Sequence, residues 1–133
     1  MALTCTTCDS IGTIDRTKPL LVQWTGGGGS SDYVQIGGTS TTASIADPTQ
    51  NVAVIFACTA RASDLQFTIP ASVLGQLPKV ANDPTGANIG ALVLVNVLGN
   101  PATTFAAPLV PSGNLDLGFF GYAGLIIKLV GYN

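Results

Sequence analysis

Apolar and polar positions alternate most clearly at "LQFTI", where Leu65, Phe67 and Ile69 fall on one side of an extended chain and Gln66 and Thr68 on the other. The same period of two puts Leu20, Val22 and Trp24 of "LLVQW" on one face. In "YVQI" it sets Val34 and Ile36 opposite Tyr33 and Gln35, the pattern of half-buried antiparallel strands. Further on, "LDLGF" turns Leu115, Leu117 and Phe119 inward, and "LIIKLV", Leu125 to Val130, supplies a last strand before Gly131.

Two stretches do not alternate. "VAVIFAC" (Val52 to Cys58) and "ALVLVNV" (Ala91 to Val97) are apolar on both faces and rich in β-branched residues, which predicts central strands in the middle of the core. One segment has helical spacing instead. "PASVLGQLP" carries Val73, Leu74 and Leu77 between Pro70 and Pro78, and predicts a single helical turn that takes the chain from one sheet to the other. Turn-forming loops are expected at "ANDPTGAN", "GNPATT" and "PLVPSGN".

Short strands roughly ten residues apart predict an all-β fold. The expectation is an immunoglobulin-like antiparallel β-sandwich of about seven to nine strands with one short helical turn. The Cys, Trp, Cys spacing of antibody domains is missing, because Trp24 lies between Cys8 and Cys58 on a strand too early in the chain. There is no internal repeat, and 133 residues suit a single domain, 1–133, with one core.

Composition strengthens the β reading. Only 9% of residues are charged, every acidic residue is Asp and none is Glu; Asp favours turns where Glu favours helices. The net charge is −2, and the basic residues Arg16, Lys18, Arg61, Lys79 and Lys128 are scattered, so no nucleic-acid partner is expected. The most apolar stretch, "GFFGYAGLII", is far shorter than the ~20 residues of a spanning helix and reads as strand. The start lacks a signal peptide, although a segment from inside a longer precursor would read the same way.

Several motifs together resemble a known group of domains. "LLVQWTGG", "YVQIGGTS", "FACTARASDLQFTIPASVLGQLP" and "GNLDLGFF" are similar, in the same order, to blocks of a β-sandwich domain at the C-terminal ends of long, uncharacterised secreted proteins of soil acidobacteria. The blocks span Leu20 to Phe120, and the middle one is the most specific. The resemblance implies a secreted module with no established activity, and carries no catalytic or binding residue onto this chain. It also implies that Met1 lies inside a longer protein. "CTTC", Cys5 to Cys8, departs from the family, which has a Trp-containing strand there, and leaves the disulfide or metal state open.

Candidate chemistry is sparse. The run "GGGG", Gly26 to Gly29, is followed by a strand rather than a helix, and no G-K-[ST] occurs; a hairpin loop joining "LLVQW" to "YVQIGG" is expected rather than a phosphate cradle. Cys5 and Cys8 form C-x-x-C without the strand and helix of a thioredoxin-like site, and three thiols with no His fall short of a zinc set. A local disulfide, one to Cys58, or reduced thiols are the expected states, with Cys58 a small core residue. Without His, the pairs Asp9 and Asp15, or Asp32 and Asp47, are the remaining candidates for acid-base work, and turn-capping is their commoner use. Asn82, Asp83 and Asn88 could offer oxygen ligands to calcium, but lack the D-x-D-x-D-G run. For sugar stacking, Trp24 and Phe119 are expected inward, leaving Tyr33, Phe120 and Tyr122, with Tyr132 also aromatic.

These readings converge on a non-enzymatic structural or adhesive module of a larger secreted or surface bacterial protein. No catalytic, cofactor-binding or metal residues and no cofactor are assigned. Expected partners are other domains of the parent protein or copies of this chain, with surface polysaccharide as a further candidate. The alternatives are a self-assembling subunit of an extracellular filament or shell and a carbohydrate-binding module. Few Lys or Glu guard the strand edges, which favours self-association.

Overall fold

A computed structural model describes residues 2–82, 88–97, 104–108, 114–119 and 123–133, with only the backbone of 104–108 and 114–119. The loops expected at "ANDPTGAN", "GNPATT" and "PLVPSGN" lie largely outside the described residues, as do Phe120 and Tyr122.

The chain is all-β and mainly antiparallel. Its strands are β1 (Thr4–Cys5), β2 (Thr13–Ile14), β3 (Leu20–Thr25), β4 (Tyr33–Ala43), β5 (Asn51–Arg61), β6 (Gln66–Ile69), β7 (Ile89–Val97), β8 (Thr104–Pro108), β9 (Asn114–Phe119), β10 (Leu125–Leu129) and β11 (Gly131–Tyr132). Four of them form the larger sheet in the order β10-β7-β4-β5, and β1-β3-β6 form a smaller one. The strands expected from alternation are all present; β8 and the two-residue β1, β2 and β11 are additions, β8 taking in Thr104 and Pro108 from stretches expected as turns, and β11 pairs with β2 in parallel.

The core lies between the two sheets. Val34 and Ile36 of β4 and Leu92 and Leu94 of β7 meet Val22 and Trp24 of β3 and Ile69 of β6, all buried. Period two explains this, because it puts every second residue of each strand on the inner side. Trp24 is satisfied in the interior, where its indole N–H donates to the Ala62 carbonyl at 3.1 Å. Tyr132 is buried as well and donates its hydroxyl to the Ala91 carbonyl at 2.8 Å; that burial raises its pKa.

The helical turn is where the spacing put it. α1 (Ala71–Leu74) opens after Pro70, buries Leu74, and carries the chain from β6 in the small sheet to β7 in the large one. Arg16 secures this corner, its guanidinium donating to the Leu77 carbonyl at 2.6 Å and to the Asn133 carbonyl at 3.3 Å.

Three expectations are corrected. Leu65 does not point into the core: it sits at φ 59 just before β6 and is exposed, because the 3₁₀ turn Ala62–Asp64 ends there in a left-handed residue. The stretch Val52 to Cys58 is not central. β5 is an edge strand, and none of those residues is buried. The glycine run is not a hairpin loop, because β3 and β4 belong to different sheets. Instead it is the arch that carries the chain between layers, with Gly26, Gly27 and Gly28 at φ 72, 86 and 124, where a side chain would be strained. The arch is tied down: Asp32 accepts the Gly29 N–H at 2.6 Å, and Arg61 donates to the Ser30 carbonyl at 3.3 Å.

Candidate functional site: an uncovered sheet face

Each strand of the large sheet has a second set of residues that points away from the core. Cross-strand register aligns them in rows across the sheet. One row is Leu125, Val95, Gln35, Thr59; the next is Ile127, Val93, Gly37, Ala57; the third is Leu129, Ala91, Thr39, Ile55. This outer face should be polar in a half-buried antiparallel sheet with one face to water. It is mostly apolar instead, with Gln35, Thr39 and Thr59 the polar residues of these rows. Ile55 is 74% exposed, Ile127 61%, Leu125 60% and Leu129 43%.

The face has relief. β10 presents Leu125, Ile127 and Leu129 as a ridge, while on β4 the absence of a side chain at Gly37 leaves a depression of about 310 Å³. Val93 and Val95 form one wall of it, Ile55 and Ala57 the other. A single charged residue lies among these outward positions, Arg61 at the corner, with its guanidinium 5.7 Å from the centre of the Tyr33 ring.

The residues singled out for chemistry are placed elsewhere and do other work. Asp15 accepts from both the backbone N–H and the hydroxyl of Thr17, at 2.9 and 2.6 Å, and pairs with Lys18 at 3.1 Å. Those hydrogen bonds, with the Lys18 ammonium, hold its carboxyl down at about 2. Asp47 does the same for Thr49, which lowers its pKa. With Asp32 bound to Gly29, three of the four acid-base candidates cap local turns; Asp9 sits exposed in the 3₁₀ turn Cys8–Ser10.

Cys5 and Cys8 form a disulfide with 5.5 Å between their Cα atoms, and Cys58 is a free, half-buried thiol on β5 whose pKa burial raises. Of the calcium candidates, Asp83 lies outside the described residues, and the Asn88 side chain accepts from the Ala43 N–H at 3.3 Å. Among the described residues, no group of three or more His, Cys, Asp or Glu stands together, and no helix is long and apolar enough to cross a membrane. Of the aromatic candidates, Trp24 and Tyr132 are core residues, and Tyr33 lies at the corner of the outer face under Arg61. The strand pattern held the signal for the face itself, since "ALVLVNV" and "LIIKLV" are apolar at both parities.

The fold and this surface define a class: an all-β sandwich in which, among the described residues, the outer face of the large sheet presents exposed apolar side chains. No family model matches the chain, and searches of curated proteins and of solved structures return no match either.

Proposed function

We propose that the chain is a non-enzymatic structural or adhesive module of a larger secreted or surface-attached bacterial protein, of immunoglobulin-like kind, and that it works by contact through the outer face of the large sheet. The observation that carries this reading is the exposure of Leu125, Ile127, Leu129 and Ile55 on one continuous surface with one charge at its corner. Contiguous apolar surface of this kind marks interaction sites. The Cys5–Cys8 disulfide supports the secreted setting, since such bonds persist in oxidising compartments.

Retention on an alkyl chromatography resin tests the contact surface. The wild-type chain should bind, and Ile55→Lys with Ile127→Lys should elute earlier at an unchanged thermal midpoint; equal retention would remove the face from consideration. Parentage is tested in the reading frame around this segment, where a secretory leader and further domains are expected. A frame with neither overturns that part.

A further inference from the structure

We propose that β5 is a docking edge, and that it pairs antiparallel with β5 of a second copy about a two-fold axis, joining two four-stranded sheets into one of eight. The inference concerns the edge of the large sheet and goes beyond the reading of its outer face.

The hydrogen-bond phase of the β4–β5 ladder decides which backbone groups this edge offers. At one end the Ala62 N–H donates to the Asp32 carbonyl at 2.9 Å, and at the other the Ser44 N–H donates to the Gln50 carbonyl at 2.8 Å. Both pairs continue the register that sets Arg61 opposite Tyr33 and Asn51 opposite Ala43, so the even-numbered residues of β5 exchange hydrogen bonds with β4. The odd-numbered ones, Asn51, Ala53, Ile55, Ala57, Thr59 and Arg61, turn their N–H and C=O groups outward. Among the described residues none of those groups has a backbone partner.

Nothing blunts this edge. β5 is eleven residues long and pairs with β4 without a bulge. Asn51 to Ala60 holds no charged residue and no Pro, so the devices that keep edge strands apart are missing. The other edges of the two main sheets are shorter: β10 has five residues and carries Lys128, β6 has four and β1 two. The core-side row of β5 also lacks cover. Val54, Phe56 and Cys58 are only half-buried, although Ser40, Gly38 and Ile36 opposite them on β4 are buried.

An antiparallel copy of β5 supplies both missing contacts. With the axis at Phe56 the whole strand overlaps, and the outward residues of the two copies form hydrogen-bonded pairs with about twelve bonds in all. On the core side Phe56 meets Phe56 of the partner subunit and Cys58 meets Val54 of the partner subunit, which covers the half-exposed row. On the outer side Ile55 lies against Ala57 of the partner subunit, large beside small. Arg61, the one charge of the strand, comes opposite Asn51 of the partner subunit, so no like charges oppose each other. Edge pairing draws its strength from main-chain hydrogen bonds rather than from area, and a reversible dimer in the micromolar range is expected.

Sedimentation of the whole chain from about 1 to about 300 µM is the test, with amide hydrogen exchange at both ends of that range. The Ala53, Ile55, Ala57 and Thr59 amides should slow roughly tenfold as the dimer forms, while those of Val54, Phe56 and Cys58, already bonded to β4, are slow throughout. Ala57→Pro should abolish the dimer and keep the fold, because that N–H faces outward, where edge strands accept Pro. Thr59→Lys adds a guard charge on the same edge without touching the backbone and should weaken the dimer roughly tenfold; circular dichroism confirms that the variants remain folded. Ile127→Lys, on the outer face of β10, should leave the dimer unchanged while lowering retention on the alkyl resin, so edge and face are tested apart. A wild-type chain that stays monomeric at the top concentration overturns the proposal. So does a dimer that resists Thr59→Lys and a folded Ala57→Pro, or one that Ile127→Lys breaks.

Discussion

Gly38 stands directly opposite Phe56 across β4 and β5, and a Cβ on Gly38 would overlap the edge of the Phe56 ring and lie 2.6 Å from the Tyr132 hydroxyl. The aromatic ring occupies the space that the glycine leaves, on the core side of the sheet. One residue earlier, Gly37 points to the other side, where an added Cβ would meet only the Phe56 carbonyl oxygen at 3.3 Å. Adjacent glycines thus serve opposite purposes, one admitting the core aromatics and the other forming the floor of the outer groove.

Their substitution should separate the two roles. Gly38→Ala forces Phe56 and Tyr132 aside and is expected to cost about 1–3 kcal/mol, the range for overpacked cores. Gly37→Ala is expected to change stability by less than about 1 kcal/mol, because added crowding is opposed by the lower entropy of the unfolded chain. Urea unfolding of both variants checks this, and equal losses would contradict the assignment of faces.

The glycine arch makes a parallel prediction. Gly27→Ala places a side chain at φ 86 and 3.0 Å from Leu3, with an expected loss of about 1–2 kcal/mol from the left-handed backbone alone. Gly29, whose φ is not positive and whose added Cβ would come no nearer than 3.7 Å to Asp32, should accept Ala within about 0.5 kcal/mol. Thermal melts of the two variants distinguish a built arch from a slack linker, for which both would be neutral.

The thiols should behave differently from one another. Cys5→Ser with Cys8→Ser opens a very short loop, and chain entropy puts the loss at about 2 kcal/mol. Alkylation of the native, unreduced protein should modify Cys58 alone, slowly at neutral pH because burial raises its pKa. Mass spectrometry reads the number of adducts, and three would exclude the disulfide.

Acid should weaken the fold through its turn-capping carboxylates. Asp15 titrates at about 2 when folded against an ordinary value of 3.8. A depressed folded pKa contributes stability that is complete above the unfolded value and disappears as pH falls through the folded one. Asp47 is shifted in the same direction. The thermal midpoint should therefore decline between about pH 4 and pH 2, and Asp15→Asn with Asp47→Asn should flatten that decline. An unchanged slope would show that neither cap holds in solution.

Alternation at Val22 and Trp24, at Val34 and Ile36, and at Phe67 and Ile69 carried the strands and their core faces in the sequence, because period two is a local property that neighbouring residues express without any partner. The helical spacing of Val73, Leu74 and Leu77 between two prolines was equally local, and so was the turn-capping chemistry of Asp15 and Asp47. The sheet to which each strand belongs was not. β4 runs on through "TSTTA" because β5 and β7 pair with it, and Ser40 is buried there only because its hydroxyl reaches the Pro78 carbonyl at 2.7 Å. The candidate site shows the same divide. A strand apolar at both parities reads identically whether its second face is covered or bare, so Val52 to Cys58 became an edge and the outer row of β7 and β10 an open surface only when the sheet order was set. Local periodicity determined the elements of this protein and their inner faces; pairing across long sequence separations, which no short stretch encodes, decided the layers, the edges and the exposure of apolar side chains on the outer face of the large sheet.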